Sequence, residues 1–140
     1  LLLARLRSKY AATEEGEQLY REVIPQLMST NPNEAMITFC EFHKTYNSGL
    51  DPQTMYRLAN SFHRCDDYEM ATRCLEDVCK NEQTPAIILE KALFQCARIL
   101  ETMELPEAAK HYYQNCADKF PDSPLGAKGK ARLARLTTHP

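Results

Sequence analysis

The chain has 140 residues, 44% hydrophobic and 26% charged, enough apolar material for the core of one ordinary domain spanning 1–140. A formal net charge of −2 argues against a general polyanion binder, and four glycines are too few for the many tight turns of a sandwich or barrel. The six cysteines, in a chain of this size and pattern, read as reduced thiols in a cytoplasmic setting rather than as a disulfide scaffold.

The chain opens Leu1-Leu2-Leu3-Ala4 without a methionine, which reads as a fragment or processed product. Arg5, Arg7 and Lys9 follow at once, so two readings stand for residues 1–13: an amphipathic N-terminal helix over 1–11, or the juxtamembrane end of a membrane helix left outside the chain. In the second reading the domain is the cytoplasmic part of a membrane protein. No run of about 18 apolar residues is present to span a bilayer.

Capping residues and prolines then mark helix starts. Asn31-Pro32, Asp51-Pro52, Thr84-Pro85 and Ser123-Pro124 each set a capping side chain before a proline, which is favoured at the first helical position because its missing N–H would be unpaired there anyway. Thr13 and Asp66-Asp67 cap without proline, and Pro106 follows Leu105, which has no capping atom. The predicted helices after the first are 14–29, 32–47, 52–65, 67–80, 85–103, 106–120 and 124–137, about seven to eight in all. Gly49 is expected to supply a left-handed exit after residue 47, and Pro25 to kink or end the helix that contains it. Short connections make neighbouring helices antiparallel. Ala35, Phe39, Phe42 and Tyr46, then Ala71, Leu75 and Val78, then Ala109, Tyr113 and Cys116, each trace one apolar face at the helical period.

These faces are in phase. Ala35, Ala71 and Ala109 are spaced 36 and 38 residues apart, and Leu58-Ala59-x-x-Phe62 corresponds to Cys96-Ala97-x-x-Leu100 at 38. With Asp67-Tyr68-x-x-Ala71-x-x-x-Leu75-x-x-Val78, the middle unit resembles a tetratricopeptide repeat. The unit closing at Pro121 is similar, and Lys119-Phe120-Pro121-Asp122-Ser123-Pro124 resembles a junction common in bacterial members of that family. The periods exceed the usual ~34 residues, and the first unit has Val23 where the others have a small residue. The resemblance implies an all-α, antiparallel helix-pair superhelical solenoid: pairs 14–47, 52–80 and 85–121, closed by a capping helix 124–137. That helix sets Leu125, Gly129, Leu133 and Leu136 on one face and Lys128, Arg132 and Arg135 on another.

It also implies a groove lined by the first helix of each pair. Carried over residue by residue, the position three before the small residue is Tyr20, Tyr56 and Phe94, and the position after it is Ile24, Asn60 and Arg98. His63, Arg64, Lys91 and Glu101 are further groove candidates. Aromatics and arginines are the usual anchors of an interface, so the groove is expected to hold a peptide or protein. Family members that bind chaperone tails clamp a terminal carboxylate with lysine and asparagine. Here Asn60 fits, but Tyr20 and Tyr56 replace the lysine, so that specificity is not expected. The alternative is a structural or oligomerisation domain whose groove is filled by its own N-terminal helix or a second copy.

Other chemistries have less support. Cys40 and His43, Cys74 and Cys79, and His63 and Cys65 lack a recognised zinc spacing, so no metal and no cofactor are expected. No nucleophile elbow, phosphate loop or H-E-x-x-H motif is present, and no catalysis is expected; Glu14-Glu15-Gly16-Glu17 reads as a favourable acidic first turn. The basic ends, Arg5 to Lys9 and Lys128 to Arg135, read as solvated faces rather than a nucleic-acid interface.

Overall fold

Five of the marked starts become helices through one device, a side-chain oxygen accepting an early backbone N–H. Thr13 accepts from Gly16 at 3.0 Å, Asn31 from Glu34 at 3.3 Å, Asp51 from Thr54 at 3.1 Å, Asp67 from Met70 at 3.2 Å and Ser123 from Gly126 at 2.9 Å. The computed structural model describes residues 12–138 and, among them, is all-helical: α1 Glu14–Thr30, α2 Pro32–Tyr46, α3 Pro52–Arg64, α4 Tyr68–Lys80, α5 Ala86–Thr102, α6 Pro106–Lys119 and α7 Pro124–Thr138. Every boundary lies within one residue of its expected position. The expected helix 1–11, and with it the juxtamembrane reading, lies outside the described residues. No described helix is long and apolar enough to cross a membrane.

Three local expectations are corrected. Thr84 does not cap α5: Pro85 occupies the cap position, and the Thr84 hydroxyl instead donates to the Val78 carbonyl at 2.7 Å, tying the loop back to α4. Gly49 has no positive φ. The left-handed exit from α2 is Asn47, at φ 48°, whose N–H donates to the His43 carbonyl at 2.8 Å. Asparagine is among the few residues that tolerate this region. Pro25, expected to kink or end its helix, does not end it. α1 runs on to Thr30 because Ile24 and Met28, on either side of the proline, are both buried in the core.

The core runs unbroken from α1 to α6. Each repeat-defining small or apolar residue (Ala35, Leu58, Ala59, Ala71, Ala97, Ala109) is fully buried. Close approach of helices needs short side chains at such positions. Consecutive helices pack on one another throughout. In addition α1 touches α3, α3 touches α5 and α5 touches α7, whereas α2, α4 and α6 make no such contact among themselves. The odd-numbered helices therefore form one layer, with each even-numbered helix seated against two of them.

The turns repeat as well. After α3, Asp67 N–H donates to Phe62 O at 2.9 Å and Asp66 N–H to His63 O at 3.0 Å, with Asp66 at φ 60°. After α5, Leu105 N–H donates to Leu100 O and Glu104 N–H to Glu101 O, both at 2.9 Å, with Glu104 at φ 60°. Both are Schellman closures with a left-handed residue just past the helix. They stand 38 residues apart, the interval that separates Ala59 from Ala97.

Candidate functional site

A hollow can persist between packed helices only where their facing side chains leave a gap and no neighbour fills it. On the odd-helix layer four such hollows adjoin. The first, of about 150 Å³, lies beside the α1–α2 turn and is lined by Met28, Pro32, Arg57, Asn60, Ser61 and Arg64. The second, about 320 Å³, lies between α3 and α5 and is lined by His63, Phe94, Gln95, Arg98, Ile99 and Thr102. Gln95 Nε2 donates to Asn60 Oδ1 at 2.7 Å, so a side-chain bond across the helix pair joins these two hollows. Phe94 and Arg98 also line the third, about 330 Å³, whose far wall is Lys128, Ala131, Arg132 and Arg135 of α7. Arg132 and Arg135 continue into a fourth with Glu101 and Leu136.

Of the expected groove residues, Asn60, His63, Arg64, Phe94, Arg98 and Glu101 line this chain of hollows. Tyr20 does not, and its assignment as an anchor is corrected. It is 5% exposed, with its ring 5.6 Å from Phe42 and 5.9 Å from Tyr46. Ile24 is fully buried too. In the first unit α2 presents Phe39, Phe42 and Tyr46 toward α1, and Tyr20 completes that aromatic cluster instead of facing outward. Tyr56 is half-buried against the core and lines none of these hollows, and Lys91 is exposed outside them. The aromatic stripe therefore reduces to Phe94, half-buried and set edge-on to Tyr113 at 5.7 Å.

Lys128, Arg132 and Arg135, which read in the sequence as a solvated face, form the far wall. Their i, i+4, i+7 spacing is the available signal that they share one side of α7. What turns that side toward α5 is the close seating of α7 on the preceding turn at Gly126 and on α6 at Gly129. A Cβ on Gly126 would meet the Phe120 carbonyl oxygen at 1.8 Å, and one on Gly129 the Tyr113 carbonyl oxygen at 3.3 Å.

The electrostatics of the lining are one-sided. Six arginines and lysines line the four hollows, against a single carboxylate, Glu101. Glu101 accepts the Tyr113 hydroxyl and stands 3.7 Å from Arg132. Burial, with this hydrogen bond, pushes the Tyr113 hydroxyl well above the usual phenol range, so it stays a donor. Among the described residues none of Arg57, Arg64, Arg98, Lys128 and Arg135 is in an ion pair.

A further hollow, about 420 Å³, lies at the start of α3 and is not joined to these four. It is bounded by His43, the 47–50 loop, Pro52, Met55 and the end of α4 from Asp77 to Asn81. Among the described residues no hydrogen bond or ion pair joins its His43, Asp77 and Lys80. The six cysteines are all free. Burial raises Cys79 to about 12 and Cys116 to about 11, and pushes Cys74 and Cys96 higher still, so these sulfurs are protonated fillers rather than nucleophiles at neutral pH. Among the described residues no group of three or more His, Cys, Asp or Glu could hold a metal ion.

No protein-family model matches this chain, and no curated protein matches it.

Proposed function

We propose that the chain is a non-catalytic interaction module, a stack of tetratricopeptide-like helix pairs that holds a peptide or protein segment along its odd-helix layer, acting in the reducing cytoplasm. One observation carries this reading. Four hollows follow one another across α3, α5 and α7 on the layer where the helix-pair resemblance puts a groove: three share Phe94, Arg98, Arg132 and Arg135 at their borders, and the Gln95–Asn60 bond links the first to them. Support also comes from the Schellman turns recurring at the interval of the sequence repeat.

Truncating Tyr56 and Phe94 is a poor test, because both pack on the core and their loss would loosen the fold. A photo-crosslinking residue at Arg98 is a better one, compared with the same residue at Ile87, which is exposed on α5 outside the hollows. Adducts to another polypeptide at position 98 and not at 87 are expected. Equal adducts at both positions, or none at 98, would remove the groove assignment. Adducts to a second copy of this chain would favour the oligomerisation reading.

A further inference from the structure

Resting on the groove reading, we infer that the occupant is an acidic segment, about five or six residues in extended form, recognised through its side-chain carboxylates rather than through a chain terminus. The first ground is charge complementarity. The chain as a whole is −2, with 19 acidic residues against 17 lysines and arginines, yet the hollows collect six of those cations and one acid. The second is that the one acid is already engaged, by Tyr113 and Arg132. Arg98, Lys128 and Arg135 thus converge on one hollow with no carboxylate paired to any of them among the described residues. Arginine forks suit carboxylates in particular, binding them through paired N–H donors.

The length follows from the spacing of the layer. Helices pack ~8–10 Å apart, so α3 to α7 spans roughly 16–20 Å, which an extended chain covers in about five or six residues. The floor asks for one apolar or aromatic side chain among the acids, placed at Phe94 and Ile99 between the cations of α3 and those of α7. The Asn60–Gln95 pair on the same strip offers amide groups to a passing peptide backbone. A nucleic acid fits less well. Its affinity draws on the field of the whole surface, and a chain of net −2 repels a long polyanion outside the strip, whereas a short acidic segment places its charge only inside it.

The test uses the full chain and fluorescent peptides of about eight residues, acetylated and amidated so that no terminal charge remains. One carries glutamates around a central phenylalanine, and the other replaces every glutamate by glutamine. The glutamate peptide is expected to bind about tenfold or more tighter, to weaken as salt rises, and to lose that advantage in Arg98→Gln plus Arg135→Gln. Both arginines are exposed, so the pair should fold, and unchanged circular dichroism checks this. Lys44→Gln plus Lys130→Gln removes the same charge from exposed sites outside the hollows and is expected to leave binding unchanged. Equal binding of the two peptides, or equal losses in the two variants, would overturn the proposal. Tighter, Arg98-dependent binding of single-stranded oligonucleotide or of anionic vesicles would overturn it in favour of those ligands. The groove reading fails separately, if neither peptide crosslinks from position 98.

Discussion

Arg21 shows how one side chain can join elements distant in sequence. Its guanidinium donates to the Gly49 carbonyl at 2.7 Å and to Ser48 Oγ at 2.6 Å, pairs with Glu17 at 3.0 Å, and lies 5.5 Å from the centre of the Phe42 ring. It thereby pins the loop between α2 and α3 onto α1. Arg21→Ala should destabilise the chain by about 1–2 kcal/mol, the range for charge-assisted hydrogen bonds at a partly exposed site. A urea midpoint equal to wild type would refute this. The two Schellman closures give a prediction of opposite sign. Glu104 holds a left-handed conformation that disfavours any side chain, so Glu104→Gly should stabilise by ~0.5–1 kcal/mol. Asp66→Gly should gain less, because Asp66 also accepts the Tyr68 hydroxyl at 3.2 Å. Thermal melts of both variants check the order.

Among the elements, α7 is held at close quarters by two glycines. Gly126 seats its start on the Phe120–Ser123 turn and Gly129 seats it on α6, with Leu133 and Leu136 reaching the core. The atom that a Cβ at Gly126 would strike is a backbone carbonyl oxygen, which cannot swing aside as a side chain could. Gly126→Ala is therefore expected to cost ~2–4 kcal/mol, or to release α7, despite alanine's better helix propensity. Hydrogen exchange should then show α7 amides losing protection while α3 and α4 keep theirs; uniform protection would count against this packing. Because α7 supplies Lys128, Arg132 and Arg135, the same variant should weaken any ligand held between α5 and α7.

At the scale of the whole molecule, the buried acids of the core make stability depend on alkaline pH. Cys79 is raised from the ordinary 9.0 to about 12 and Cys116 to about 11, each mainly by burial, and Cys74, Cys96, Tyr112 and Tyr113 are raised for the same reason. When the chain unfolds, these groups ionise at their ordinary values, so above about pH 9 the unfolded state holds fewer protons than the folded one. Stability should be flat with respect to these groups below about pH 8 and fall as pH climbs from 9 toward 12. Urea midpoints at about pH 7.5 and 10.5 measure it, and equal midpoints would show that the thiols are not buried as described. Under native conditions the exposed Cys40 and Cys65 should be the thiols that alkylate readily.

The helices and their ends were legible in the sequence. Caps, prolines and apolar spacing act within a turn or two of backbone, and their reach matches the information in a short window of sequence. It also marked which small residues let helices approach, since Ala59, Ala71, Ala97 and Ala109 are all fully buried. The candidate site was legible in part. Asn60, Phe94 and Arg98 follow from the repeat phase, because equivalent positions on successive odd-numbered helices lie on one layer, and all three line the hollows there. Which way the first unit and α7 face was settled by packing alone. Tyr20 turned inward because Phe42 and Tyr46 offered it a ring cluster, and the cations of α7 became a wall because two glycines brought that helix down on the preceding turn and on α6. Both outcomes come from packing between residues far apart in the chain, where the gain depends on the shape of the partner surface and not on the segment's own pattern.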